Sequence, residues 1–215
     1  MRGFLLTALA VLVAIAIGVA IEPLPRTSAL PAPLARAITA TMAVRSVEIR
    51  DSLPGASTPA VYEAPDRWEG PVSPPTSTAR GQSISTRPVI IGDWEYDTLV
   101  GSRRLPGVFG YLRTRQHLRW TLDLPPAQSV SFGPLVAARL GQDFRRLHDT
   151  WTYRSHLGGA GVVVVGGSVT IGGGLVDRAS IDEMEGGHRL VLRTTYSAFN
   201  RAPAVPMPAQ APTAS

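Results

Sequence analysis

The chain has 215 residues, a formal net charge of +5 and no cysteine, and all 21 of its basic residues are arginine. The missing cysteine excludes disulfides and the acylated cysteine of a lipoprotein anchor. The missing lysine excludes a phosphate-binding P-loop. Exclusive use of arginine also suggests a GC-rich genome.

The first part of the chain is apolar. Residues 4–21 carry no charge and follow Arg2. Their length fits a retained membrane anchor, whereas Gly18, Val19 and Ala20 form the small-residue pattern of a signal peptide cleaved after Ala20. Both alternatives stay open for residues 1–21, as a transmembrane or a signal helix. Both place the rest of the chain outside the cytoplasm.

The remaining residues are enough for one domain with its own core. Residues 22–33 are rich in proline and predict an extended linker. We expect the folded domain to span residues 34–205. Residues 206–215, rich in proline and alanine, predict a disordered tail.

A helix and then a strand are predicted at the start of the domain. Pro33 suits the first helical turn. One apolar stripe follows, and the helix is expected to end near Arg45; the stripe consists of Leu34, Ile38 and Met42. Apolar and polar residues alternate over 46–50, which predicts a strand with one buried face.

More strands are predicted up to residue 100. Residues 60–64 form a short strand that stops at Pro65, and residues 69–82 predict a mobile surface loop. Residues 84–100 predict a hairpin that turns at Gly92 and Asp93. A loop over 101–110 should follow. Residues 117–124 fit either a strand or a helix.

The second half is predicted to contain one helix and a series of strands. After two prolines, residues 132–149 predict an amphipathic helix whose apolar side consists of Val136, Leu140, Phe144 and Leu147. From Thr150 onward the pattern is an antiparallel meander, with turns at the glycine pairs 166–167 and 186–187. The fold class is therefore α+β, an antiparallel sheet with a few helices packed on one face.

No catalytic or metal-binding pattern is recognisable. The histidines have no metal-ligand spacing and predict surface positions: His117, His148, His156 and His188. Ser168 lies in a strand–turn–strand context, so it does not form a nucleophile elbow. The glycines of 158–174 predict turns and bulges. The carboxylates of 177–185, Glu183 among them, lack calcium-loop spacing and predict a solvated strand edge. We therefore expect no enzyme, cofactor or metal.

Four aromatic residues are the candidate binding residues. Trp94 with Tyr96, and Trp151 with Tyr153, each place two rings on one face of a strand. Core packing explains such pairs, and so does the lining of an apolar ligand cavity. Both interpretations stay open.

The order of several segments resembles a known family. They are Ser46-Val-Glu-Ile-Arg50, Val61-Tyr-Glu-Ala-Pro-Asp-Arg67, Val89-Ile-Ile-Gly-Asp93 with Tyr96, and Thr195-Tyr-Ser-Ala-Phe-Asn200 followed by Pro203 and Pro208. In this order they are similar to the LppX/LprG-type mycobacterial lipoproteins and the wider LolA-like carrier superfamily. The resemblance covers residues 34–208 and transfers no ligand-contact residue.

That resemblance implies a fold and a function. The family folds as a curved antiparallel β half-barrel over helices, with a hydrophobic cavity for acyl chains. Its members carry lipids or lipoproteins across the envelope. This chain lacks the lipoprotein cysteine, so residues 1–21 would have to replace the acyl anchor.

The expected function is thus non-enzymatic binding or transfer of a lipid or lipoprotein amphiphile in the cell envelope. The alternative is a membrane-anchored structural, interaction or sensor module without a ligand. The expected partners are the membrane, through the N-terminal helix, and such an amphiphile. Nucleic acid is not expected despite an arginine cluster at 103–119, because an exported protein does not meet it.

Overall fold

The structure is a computed structural model that describes residues 29–52, 58–77, 83–101, 108–114, 124–159 and 162–207. Predictions for residues 1–21, for most of the 22–33 linker, for 117–123 and for 208–215 lie outside these ranges. Two helices are present within them: α1 (Ala32–Met42) and α2 (Pro126–Arg139). Neither has the length and apolar character to cross a membrane.

Twelve strands within the described ranges form one sheet in which every pair is antiparallel. They are β1 (Ser46–Asp51), β2 (Ala60–Glu63), β3 (Arg67–Glu69), β4 (Thr76–Ser77), β5 (Ser83–Ile91), β6 (Trp94–Gly101), β7 (Val108–Thr114), β8 (Gln142–Leu147), β9 (Thr150–Gly159), β10 (Val162–Gly172), β11 (Leu175–Glu185) and β12 (His188–Ser197). Their order is β7-β6-β5-β3-β2-β1-β12-β11-β10-β9-β8, and β4 adds to β5.

The sheet is open and carries both helices on one face, which we call the inner face. α2 contacts β2, β3 and β5 on one side and β9, β10 and β11 on the other. In the sheet order these two groups are separated by β1 and β12. One helix can contact both groups because the sheet curves toward it. The α+β prediction is confirmed, and the arrangement is consistent with a half-barrel.

α1 follows the predicted pattern. Leu34 and Ile38 are 0 % exposed and Met42 is 8 % exposed, so the stripe spaced by four is the buried face. The helix ends at Met42, three residues before the predicted end. A side-chain hydroxyl links α1 to the sheet. Thr41 Oγ1 accepts a hydrogen bond from the Val176 N–H of β11 at 2.8 Å, and it donates one to the Ala37 carbonyl within the helix.

Replacing this hydroxyl by a methyl group should destabilise the domain. In Thr41→Val the shape is kept, but the buried Val176 N–H loses its acceptor, which costs about 1–3 kcal/mol. Thr41→Ser keeps the hydroxyl and is the matched control. Urea unfolding should rank the stabilities as wild type, then Thr41→Ser, then Thr41→Val. Thr41→Val as stable as wild type would show that the hydrogen bond contributes nothing.

The predicted helix over 132–149 is wrong at both ends. α2 begins six residues earlier, at Pro126, and residues 142–147 form strand β8. The helix ends at Arg139, and Gly141 lies against the Tyr153 ring, where a Cβ would be 2.6 Å from Cδ2. Beyond it the backbone pairs with β9 instead. Leu147, predicted on the apolar side of that helix, is 70 % exposed.

Other boundaries also differ from the predictions. The 69–82 loop is shorter than predicted, because β4 pairs with β5 at its end and β3 lies just before it. The 101–110 loop gives way to β7 from Val108. β10 runs through Gly166 and Gly167, where a turn was predicted. The predicted turns at 92–93 and 186–187 are confirmed, with Gly92 and Gly186 at positive φ.

Candidate functional site

The middle of the inner face is filled by aromatic rings. Phe132 of α2 lies between Tyr62 of β2 and Tyr196 of β12, with ring centroids 5.0 Å and 6.0 Å away. All three side chains are buried. Tyr62 donates a hydrogen bond to the Pro65 carbonyl, and Tyr196 donates one to the Ser131 carbonyl. Burial raises the pKa of both phenols, so they stay neutral at physiological pH.

Toward the end of α2, a second apolar cluster covers the inner face of β9 to β12. We call it the α2-end cluster; it consists of Ala137, Leu157, Val164, Ile181 and Leu192. One cross-strand row of this region runs from Leu157 through Val164 and Glu183 to Leu190. Leu190 is 44 % exposed. A row of apolar side chains, interrupted by Glu183, therefore runs from the end of α2 to solvent.

A carboxylate is buried in that row. Glu183 is 1 % exposed, between Val164 and Leu190 on the neighbouring strands. The prediction of a solvated strand edge is wrong for this residue, because β11 lies inside the sheet, between β10 and β12. A buried carboxyl group needs polar partners, so it marks a place where the inner face interacts with polar groups.

A second acidic group lies at the end of β1. Asp51 accepts a hydrogen bond from Thr194 Oγ1 at 2.5 Å. Burial raises the pKa of this carboxyl above its usual range, and the Thr194 hydrogen bond opposes part of that rise. The folded protein therefore holds this proton to a higher pH than the unfolded chain does.

This linkage predicts the effect of Asp51→Asn. A raised folded-state pKa stabilises the protein below the unfolded pKa, and that contribution is lost as pH rises through the folded pKa. The amide can still accept the Thr194 hydrogen bond but carries no charge. Asp51→Asn should therefore have a higher melting temperature than wild type at neutral pH, and the difference should shrink as the solution is acidified. A lower melting temperature at pH 7 would contradict the assignment.

Two of the four predicted aromatic residues lie on the inner face. Tyr153 is 4 % exposed and packs in the main core, and Trp151 is partly buried beside the same core. The Tyr153 ring lies over Gly141 and Gly167, with its hydroxyl 3.5 Å from the Ser180 carbonyl. Burial raises the pKa of Tyr153 well above that of a free phenol, and the negative charge of Asp182 adds to the rise.

The other two lie on the opposite side of the sheet, which we call the outer face. Tyr96 packs against Val61, Val89 and Val205, away from the helices. Trp94 shares its face, since the two residues are two apart on β6. The structure therefore brings each pair together but places the two pairs on different faces. Strand alternation in the sequence predicts that the two residues of each pair share a face. It does not predict which face of the sheet the core occupies.

The outer face also has an open pocket of about 350 Å³ near the β8 edge. It is lined by Asp143, Arg145, Thr152, Tyr153, Arg154, Val165, Gly166, Gly167 and Asp182. Arg154 and Asp143 approach to 3.9 Å, and Asp182 is paired with Arg189. β8 and β10 both have register irregularities here, and such bulges re-aim side chains. The pocket is open, and most of the residues that line it are charged or polar.

No group of three or more potential metal ligands occurs in the described ranges. His148 lies in an exposed turn at positive φ, and His188 is exposed at the start of β12. His117 lies outside the described residues. Nothing is described for the His156 side chain either.

The fold and its inner face define an α+β domain with an open antiparallel sheet and an apolar layer under two helices. No protein-family model and no curated protein matches the sequence. Among solved structures, the chain is similar to the crystal structure of LprF from Mycobacterium bovis, with a TM-score of 0.47 and 12 % identity over 82 % of this chain and 95 % of that chain. A match at this level identifies neither a ligand nor an activity.

Proposed function

We propose that this chain is a non-enzymatic protein of the cell envelope that binds an amphiphile between α2 and the inner face of a half-barrel sheet. Residues 1–21 direct it to the membrane, as an anchor or a signal. The acyl chain lies along the α2-end cluster, and the polar head lies near Glu183. The cross-strand row that runs from buried Leu157 through Val164 and Glu183 to exposed Leu190 is the observation that carries this proposal.

The composition of α2 supports movement of this helix. It contains Gly133 and Pro134, and Phe132 has non-helical dihedral angles at φ −119° and ψ 20°. Proline in a helix interior removes a backbone hydrogen bond and kinks the helix. No side-chain cap holds its start. Such a helix forms because the sheet packs against it. We propose that an acyl chain enters by displacing its C-terminal end, and that the bound chain then covers the side chains of Leu135 and Ala138, which are buried in this structure.

The polar partner of the acyl chain follows from the buried acid. A carboxyl group accepts hydrogen bonds from hydroxyls, whereas a second carboxylate beside it is disfavoured. Glu183 therefore favours a hydroxyl-bearing head group over a free fatty acid. Of the aromatic candidates, we place Tyr153 and Trp151 beside the bound chain. Trp94 and Tyr96 belong to the outer face, where Tyr96 joins the packing around Val205.

Native mass spectrometry of the exported, never-refolded chain tests this directly. We expect a discrete adduct that extracts into organic solvent, and one equivalent of monopalmitoylglycerol bound to the apo protein. Palmitate, which has the same chain and a carboxylate head, should bind more weakly. Glu183→Gln should reduce the difference between the two probes. An apo mass that takes up neither probe would overturn the proposal.

Two matched variants locate the site. Ala137→Trp fills the α2-end cluster, because Ala137 is 1 % exposed and packs there. Arg139→Trp places the same ring two residues further on, where the side chain is exposed. The first should abolish probe binding and the second should not, with circular dichroism confirming that both variants fold. Equal binding by both would place the ligand elsewhere.

One observation favours the alternative of an interaction module without a ligand. The Tyr62, Phe132 and Tyr196 rings fill the middle of the inner face. If the α2-end cluster is closed in the same way, the surface carries the function. Absence of adducts, together with one stoichiometric protein recovered by crosslinking in intact envelopes, would support that alternative.

A further inference from the structure

Three arginines form a cluster on the outer face. Arg50 on β1 and Arg178 on β11 both lie opposite Thr195 of β12, one on each side. Arg193 lies two residues before Thr195 on the same face of β12. All four side chains are exposed. Strand spacing sets Arg50 and Arg178 about 10 Å apart on either side of Thr195, with Arg193 roughly 7 Å further along β12.

This cluster is not neutralised within the described residues. None of the three arginines takes part in an ion pair there, whereas Arg154 and Arg189 on the same face do. The acids nearest along the strands, Glu48 and Asp177, form no ion pair with the three in that part of the chain. Like charges on neighbouring strands destabilise a sheet. A partner of opposite charge would offset that cost.

Other side chains of the outer face indicate which class of anionic partner the arginine cluster binds. Hydroxyl pairs cross the strands beside the cluster, at Thr150 with Thr170 and at Ser168 with Ser180. Val163 and Val165 of β10 are 41 % and 40 % exposed on the same side. Arginines on a broad sheet face that also carries exposed apolar side chains further along β10 match the interface of an anionic bilayer. A soluble anionic glycan would leave the valines without a partner.

We propose that the outer face of β1, β12, β11 and β10 docks on an anionic lipid surface through Arg50, Arg178 and Arg193. The inner face then points away from that surface. The position of the expected anchor agrees with this, because a linker over 22–33 would hold the domain within about 40 Å of the bilayer. Docking does not depend on what the inner face binds.

A label at the centre of the cluster tests the docking in the full-length chain. The chain has no cysteine, so Thr195→Cys accepts one fluorophore site-specifically. The labelled protein is reconstituted into vesicles of phosphatidylcholine alone or with 30 mol % phosphatidylglycerol, each with a quencher on the lipid head group. We expect stronger quenching in the anionic vesicles, and loss of the excess in high salt because exposed charges are screened. A label at the exposed Asp93 position should show no excess.

Two triple arginine variants distinguish docking through this cluster from non-specific attraction between a positively charged protein and an anionic membrane. Arg50→Gln with Arg178→Gln and Arg193→Gln should reduce the excess quenching to the level of neutral vesicles, since each arginine contributes roughly fivefold to binding an anionic surface. Arg45→Gln with Arg139→Gln and Arg201→Gln removes the same charge from exposed sites elsewhere and should leave the excess unchanged. Three results would each overturn the proposal. They are an equal loss of the excess quenching in both triple variants, no excess quenching by anionic vesicles in wild type, and release of the labelled face from the vesicles by a soluble anionic glycan at low concentration.

Discussion

Phe132→Ala should lower the free energy of unfolding by about 4 kcal/mol, the cost of removing a fully buried aromatic ring. Phe132 is 0 % exposed and contacts the rings of Tyr62 and Tyr196. The cavity that replaces the ring would lie at the kink of α2, between the two groups of strands that this helix joins. Chemical denaturation of the purified chain measures the loss directly.

Two control variants distinguish the loss of the buried ring from the effect of removing any apolar side chain. Leu147→Ala removes an apolar side chain that is 70 % exposed and should change stability by less than about 0.5 kcal/mol. Phe132→Leu keeps most of the volume and should cost clearly less than alanine. If Phe132→Ala were as stable as Leu147→Ala, the aromatic contacts would not hold α2 on the sheet.

The first half of the fold was predictable because short-range patterns coincide there with burial. Val47 and Ile49 alternate with polar residues and are 0 % and 3 % exposed. The 92–93 turn was predictable from its glycine, which adopts φ +57°. In these segments the local hydrophobic period agrees with the tertiary contacts, so the sequence alone is sufficient to predict the secondary structure and the buried face.

The second half was less predictable because a distant contact overrides the local pattern. Apolar residues at helical spacing continue past Leu140, yet the chain turns into β8 at Gly141. The Tyr153 ring of β9 occupies the space beside that glycine. Pairing with β9 then satisfies the backbone of 142–147. Neither contact has a signal within the segment itself.

The candidate site shows the same division. Alternation correctly grouped Trp94 with Tyr96 and Trp151 with Tyr153. It could not show that the first pair belongs to the outer face, since that depends on Val205 of the C-terminal segment packing against Val61 and Val89. Glu183 was missed for a related reason. A carboxylate among apolar strand residues is a usable signal only once β11 is known to be an inner strand.

Gly167→Ala should be the most damaging small substitution in β10. A Cβ at this position would lie 2.1 Å from the Ser180 carbonyl oxygen of β11 and 2.6 Å from the Tyr153 hydroxyl. The carbonyl belongs to the paired backbone of β11 and cannot move without breaking the pairing of this strand. We therefore expect a loss of about 3 kcal/mol or more, at the upper end for overpacked sites.

The control for Gly167→Ala is Gly186→Asn. Gly186 lies in the β11–β12 turn at φ +54°, has open space around its Cα, and asparagine tolerates that conformation. Its cost should stay below about 1 kcal/mol. Tyr153→Phe in the Gly167→Ala background removes the hydroxyl contact but leaves the carbonyl clash, so it should restore only part of the stability. Full recovery would mean that the tyrosine, and not the β11 backbone, requires glycine at position 167. The same double variant also tests how much the ring at position 153 contributes to inner-face packing. Phenylalanine keeps the ring over Gly141 but loses the contact between the Tyr153 hydroxyl and the Ser180 carbonyl.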